Sequence, residues 1–150
     1  MAGSVGLDLN SPYAYVLWAD HFTATSVVAV ADNDEIVGFV NGFHPPNDPS
    51  TLFVWQVGVA QQARRQGIAG RMLDELLART RARWLEATVT PSNTASAALF
   101  RGTAARHDGK VDEALVYPPE LFADGHEPEF RFRIGPLRHD TTPSSAIRRM

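Results

Sequence analysis

Apolar positions along the chain switch between a period near 3.6 and a period of 2, and the switches mark out its elements. Tyr15, Trp18, Ala19 and Phe22 recur at helical spacing behind Asn10-Ser11-Pro12. A cap followed by a first-turn proline predicts a short amphipathic helix there. Ser26 to Ala31 and Glu35 to Phe43 carry strand-type runs joined by Asp32-Asn33-Asp34, the pattern of an antiparallel hairpin. Three prolines between His44 and Ser50 impose a loop. Thr51 to Ala60 is the clearest strand: Phe53, Trp55, Val57 and Val59 fall on one face, Leu52, Val54, Gln56 and Gly58 on the other. A helix is predicted from about Ile68 to Arg83, where Ile68, Met72, Leu73, Leu76 and Leu77 form an apolar stripe. Trp84 to Thr90 reads as a strand with Leu85, Ala87 and Val89 inward. Pro91 stops it, and Ser92 or Asn93 caps a further helix that carries Ala95, Leu99 and Gly102 inward. Past Arg106 the pattern fades into a loop holding Pro118-Pro119 and Gly125, until Phe130 to Ile134 predicts a last strand. Thr141 to Met150 is polar and reads as a tail.

Antiparallel strands followed by strand–helix–strand–helix–strand predict an α+β sheet with helices on both faces. The 150 residues suit one domain. With 44% hydrophobic and 21% charged residues, the balance is that of a globular chain rather than a disordered one. A net charge of -3 provides no basic field for nucleic acid. The absence of cysteine excludes disulfides, thiol nucleophiles and cysteine-held metals. No apolar run reaches the roughly 18 residues of a membrane span, and the first residues lack a signal-peptide pattern. The expectation is a soluble cytoplasmic protein without nucleic-acid or membrane partners.

The chemistry is concentrated between Val57 and Ala69, where a strand runs through a turn into a helix. Arg64, Gly67 and Ala69 follow the spacing R-x-x-G-x-A, which lets backbone approach a ligand closely. The first amides of the helix have no intrahelical acceptor and sit at the positive end of its dipole, a setting for pyrophosphate. Arg64 and Arg65 add positive charge. A glycine that merely fits the bend explains the turn equally well taken alone. No Lys-Ser/Thr follows the glycine, so this is not a Walker loop, and the full dinucleotide fingerprint is missing.

These residues resemble the GNAT acetyltransferases. The resemblance implies a splayed mixed sheet flanked by helices, with acetyl-CoA as co-substrate and no metal. Its pyrophosphate would lie on Arg64, Arg65, Gln66, Gly67, Ile68 and Ala69, and its pantetheine along Val57, Gly58 and Val59. Thr90-Pro91-Ser92-Asn93-x-x-Ser96 matches the family's second element, so that Asn93 and Ser96 would face the CoA arm. Further segments narrow the likeness to the diaminobutyrate acetyltransferases of ectoine synthesis: Leu7 to Tyr15, Leu52-Phe53-Val54-Trp55-Gln56-Val57, Leu85 to Asn93, and Gly125-His126-Glu127-Pro128-Glu129. It covers residues 7–137 as one domain and leaves 138–150 as a tail. By that resemblance the γ-amine of L-2,4-diaminobutyrate is the acceptor. Another small amine, or a non-catalytic acyl-CoA-binding module, are the alternatives.

A cationic amino acid needs carboxylates for its amines and a donor for its own carboxylate. Asp8, Tyr13, Trp55, His126 and Glu129 are the expected acceptor residues, with Glu129 and Trp55 the catalytic ones. Glu129 is placed to hold the amine or accept its proton. A His126/Glu129 metal pair lacks a third ligand. Phe100 stands where many GNAT enzymes carry a tyrosine that protonates the leaving thiolate. Attack is expected to be direct, because no nucleophile arrangement is present. The family's usual first strand is not matched ahead of Leu7. That would leave the hairpin strand as an open edge, and a homodimer is expected.

Overall fold

The computed structural model describes residues 11–123 and 125–139; Asp8 and the tail from 140 onward lie outside the described residues. Helix α1 (Pro12–His21) begins as expected, the Ser11 side chain accepting from the Ala14 N–H at 3.3 Å ahead of Pro12. Strands β1 (Ser26–Val30) and β2 (Ile36–Phe43) form the hairpin, and β3 (Thr51–Val59) follows the proline loop. Then come α2 (Ile68–Thr80), β4 (Trp84–Val89), α3 (Thr94–Arg106), β5 (Lys110–Tyr117) and β6 (Glu129–Gly135). The six strands form one sheet in the order β1-β2-β3-β4-β6-β5. Among the described strands, β3 and β4 are the one parallel pair and the other neighbours are antiparallel. The architecture is the expected α+β one.

Alternation along each strand sorts the side chains. Leu52, Val54, Leu85, Ala87, Phe132 and Ile134 turn to one face, where they are buried against Leu73, Leu76 and Leu77 of α2 and Phe100 and Ala104 of α3. The opposite face carries Phe53, Trp55, Glu86, Thr88, Arg131 and Arg133, by the same alternation. Helix α1 covers part of it: Trp18 stacks on Trp55 with ring centroids 4.4 Å apart, and Phe22 stacks on Trp18 from the other side at 4.7 Å.

Three expectations are corrected. Helix α2 ends at Thr80 rather than Arg83, because Arg81 turns left-handed (φ 51°) and its N–H closes on the Leu77 carbonyl at 2.9 Å. Helix α3 buries Phe100, Thr103 and Ala104, whereas Ala95 is exposed; Asn93, not Ser92, supplies the cap. The stretch after Arg106 is not a loop but strand β5. It is an edge strand whose residues are exposed or half-buried, Asp112 and Glu113 among them, so its apolar alternation is interrupted.

Two local features shape the middle of the sheet. Arg133 holds the loop before β3 to β6: it pairs with Glu86, reaches Asp48 at 3.4 Å and donates to the Thr51 hydroxyl at 3.3 Å, its guanidinium lying 4.4 Å over the Trp84 ring. Hydrogen bonds from Ser50 and Thr51, and then Arg133, hold the Asp48 carboxyl below its ordinary value. The second feature is a bulge. Asn41 pairs with Gln56 and Gly42 with Val54, so Trp55 has no partner on β2, and the alternation flips there: Val57 and Val59 pack on the core face with Val40 and Val54, not beside Phe53 and Trp55 as expected. Gly42 lies against the next strand, where an added Cβ would sit 2.8 Å from the Phe53 carbonyl oxygen and 3.1 Å from that of Thr25. Gly42→Val is therefore expected to destabilise the chain by about 1–3 kcal/mol, read as a lower urea midpoint; an unchanged midpoint would show that the bulge tolerates a side chain.

Candidate active site

Strands β3 and β4 pair from Thr51/Trp84 to Val54/Ala87 and then part. Beyond that point β3 runs on to Val59 and β4 to Val89 with no ladder between them, opening a V-shaped cleft of about 1020 Å³. Which amides face it follows from the neighbouring ladder. The Ala60 N–H donates to the Val37 carbonyl at 2.8 Å. In an antiparallel pair successive residues point alternately toward and away from the partner. Val57 and Val59 therefore turn their backbone groups away from β2 and into the gap. The Val59 carbonyl confirms the direction, since it accepts from Arg64 Nε at 3.2 Å.

The floor of the cleft is the start of α2. Gly67 is its N-cap with φ 72°, a left-handed conformation that a side chain strains, and nothing lies within 4 Å of where its Cβ would be. No side chain caps this helix and no acidic residue occupies its first turn. The Arg71 N–H already closes on the Gly67 carbonyl, which leaves the earlier amides as donors toward the cleft. Gly67, Ile68, Ala69 and Gly70 all line it, with Arg64 and Arg65 beside them. Arg65 also adopts positive φ (61°), so the turn carries two left-handed residues. A diphosphate fits this donor set in charge and in hydrogen-bond sense.

The facing wall comes from β4, the start of α3 and the loop before β6. Asn93 and Ser96 line the cleft as expected; the Asn93 side-chain oxygen accepts from the Ser96 N–H at 3.1 Å, so its amide N–H groups are what it can offer a ligand. His126 and Glu129 lie in the same wall, His126 Nε2 3.8 Å from Glu129 Oε1. His126 Nδ1 is 2.6 Å from the Glu127 carbonyl. A carbonyl only accepts, so Nδ1 carries the proton, and Nε2 faces Glu129. Among the described residues no group of three His, Asp or Glu side chains is gathered to hold a metal.

Three expected residues stand apart from the cleft lining. Trp55 is stacked under Trp18 on the sheet's other face, beside the gap. Tyr13 is 68% exposed on the first turn of α1. The Gln66 side chain turns to the groove between α2 and β1, bonding the Gln62 carbonyl at 3.4 Å. Phe100 is 2% exposed, its ring 6.4 Å from Phe132, so it belongs to the core; from α3 it is Ala95, Ser96 and Leu99 that line the cleft. The structure adds Thr88 and Thr90, which alternation on β4 already placed opposite Leu85, Ala87 and Val89. It also adds Glu127, whose carboxylate accepts from both the Ser92 N–H, at 3.2 Å, and the Ser92 hydroxyl. Those partners are 35 residues apart, a contact no local pattern announces.

Residues 6–103 match the model of the acetyltransferase (GNAT) family. The chain belongs to that family. Among curated relatives, this GNAT chain is 44% identical over 142 residues to an L-2,4-diaminobutyric acid acetyltransferase of Shouchella clausii, covering 92% of itself and 79% of the relative. It is 48% identical to the protein of the same name from Marinococcus halophilus, covering 87% and 78%. Among solved structures it resembles a diaminobutyrate acetyltransferase from Paenibacillus lautus in complex with its substrate L-2,4-diaminobutyric acid and coenzyme A. The TM-score is 0.84 at 45% identity, over 94% of this chain and 86% of that one. A ribosomal-protein-alanine N-acetyltransferase from Brucella melitensis, at 20% identity and TM-score 0.64 over 85% and 79%, shares the fold.

Gly67→Ala tests the turn. Forcing a Cβ into the left-handed region costs about 1–2 kcal/mol, and a turn that relaxes to avoid it moves the free amides. The expected outcome is acetyl-CoA binding weakened by roughly tenfold in calorimetry with the fold retained; unchanged affinity would show that the turn does not carry the cofactor.

Proposed function

We propose that this GNAT enzyme transfers the acetyl group of acetyl-CoA to the γ-amine of L-2,4-diaminobutyrate, the acetylation of ectoine synthesis. The observation that carries the reading is the identity of 44–48% to acetyltransferases named for that substrate, joined to a cleft that connects the α2 amides with His126 and Glu129. The pyrophosphate rests on the amides after Gly67, with Arg64 and Arg65 beside it and Asn93 and Ser96 across the arm. The thioester carbonyl lies against the free amides of Val57 and Val59. Trp55 forms the acceptor-side wall, and Tyr13, His126 and Glu129 contact the amino acid; Asp8, a further acceptor candidate, lies outside the described residues.

In this arrangement Glu129 accepts a proton from the γ-ammonium, and the freed nitrogen attacks the thioester carbon. A C–N bond forms, and the oxygen takes up negative charge against the Val57 and Val59 amides, the term that lowers the barrier most. The C–S bond then breaks, the attacking nitrogen gives up its remaining extra proton to solvent as the amide forms, and CoA departs as its thiolate. Phe100, in the core, supplies no proton to it.

A thiol-release assay with acetyl-CoA and L-2,4-diaminobutyrate tests the reading. Turnover is expected for the wild type, and Glu129→Gln is expected to lower kcat by a factor on the order of 10²–10⁴. No turnover with diaminobutyrate, alongside turnover with another amine, overturns it.

We further propose a cytoplasmic homodimer. The cytoplasm is where acetyl-CoA is available. Val28 and Val30 on the β1 edge are 53% and 54% exposed, an apolar edge that a second copy would cover. Sedimentation is expected to give twice the chain mass; a monomer at micromolar concentration contradicts it.

A further inference from the structure

Across the open face of the sheet, one row of side chains is set by register alone. Thr88 of β4 pairs with Arg131 of β6. Trp55 stands on β3 one residue past the last paired position, Val54/Ala87. Thr88 and Arg131 are thus ladder neighbours, about 5 Å apart, and Trp55 stands on the same face across the start of the gap from Thr88. Glu129 sits two residues before Arg131 on the same strand, so both project to the same face. Thr88 and Glu129 line the cleft. Arg131 therefore flanks the place where an acceptor amine meets the thioester, from the side away from the cofactor.

Arg131 differs from the other arginines around it. Arg133, two residues on, is paired with Glu86 and Asp48. Arg101 is paired with Glu113, and Arg106 with Asp74. Arg131 is half-buried, yet makes no ion pair among the described residues, and its Nε is fully buried with no hydrogen-bond partner. Its cross-strand neighbour on β5 is Ala114, which neither fills the space beside it nor neutralises it. A buried guanidinium donor without an acceptor is costly, and a planar fork is the side chain best suited to grip a carboxylate.

We propose that Arg131 binds the α-carboxylate of the acceptor amino acid and so makes the enzyme selective for a diamino acid over a plain diamine. This rests on the diaminobutyrate reading above, and it assigns a role that Glu129 cannot fill, since a carboxylate only accepts, and that His126 does not offer, its Nδ1 being held by the Glu127 carbonyl and its Nε2 facing Glu129. The carboxylate completes the guanidinium's hydrogen bonds, while the γ-amine, at the other end of the four-carbon chain, reaches Glu129 and the gap beside Trp55.

The decisive comparison uses 1,3-diaminopropane, which is diaminobutyrate without its carboxylate. Wild type is expected to show a KM for diaminobutyrate at least tenfold below that for diaminopropane. In Arg131→Leu, the KM for diaminobutyrate is expected to rise roughly 10- to 100-fold, with kcat within a few-fold. The KM for diaminopropane and the affinity for acetyl-CoA stay unchanged. Arg131→Lys recovers part of the loss, because charge returns without the fork. A wild type with equal KM for the two amines overturns the proposal, without need of any variant. So does a folded Arg131→Leu enzyme that keeps the wild-type preference, the outcome expected if Arg131 only pairs with a segment of this chain. A wild type that acetylates neither compound overturns the diaminobutyrate reading itself, and that failure is distinguishable because it precedes any comparison of the two.

Discussion

The molecule depends on a ladder that stops. After Val54 and Ala87, β3 and β4 cease to bond, and what would be sheet interior becomes a wedge of unpaired backbone. In a soluble fold such orphaned amides are normally a defect. Here they border an open cleft, which each strand's anchoring on its far side keeps apart: β3 by its antiparallel ladder to β2 and β4 by its ladder to β6. The core of Leu73, Leu76 and Leu77 under the paired half supplies the rigidity. The bulge at Trp55 comes just where the strands begin to part.

The helix start and the splay work together. Gly67 turns the chain so that α2 begins under the wedge with its first amides uncapped, and Arg64 ties the turn to the Val59 carbonyl. The same few residues therefore set the direction of the strand end, the position of the helix dipole and the placement of positive charge. A side chain at Gly67 would strain the left-handed conformation on which all three rest.

Much of this was legible from the chain. Period-2 runs located β3 and β4, Ser11-Pro12 located the start of α1, and the R-x-x-G-x-A spacing located the turn into the uncapped start of α2 that lines the cleft. Local signals failed where the determinant was distant. Strand β5 pairs with β6 at the sheet edge with its residues exposed or half-buried, and Glu113 interrupts the row of Val111, Leu115 and Tyr117, so its alternation is hard to see in the sequence. The burial of Phe100 in place of Ala95 depends on how α3 rotates against Phe132, a tertiary choice that a weakly amphipathic helix leaves open. Trp55 and Tyr13 were named through family likeness, and the stack of Trp55 on Trp18 could not be read from spacing. Register rather than motif singles out Arg131: only once β6 lies between β4 and β5 does it stand beside Thr88.

Because the wedge passes through the sheet, the helix amides lie on one face and the Trp55–Thr88 row on the other. On the proposed function, donor and acceptor approach from opposite sides and meet between two strands. An inhibitor that joined the two by a covalent linker would occupy both faces at once. Its linker would have to match the width of the gap and its hydrogen-bond acceptors the spacing of Val57 and Val59, so linker length becomes a ruler for the opening between β3 and β4.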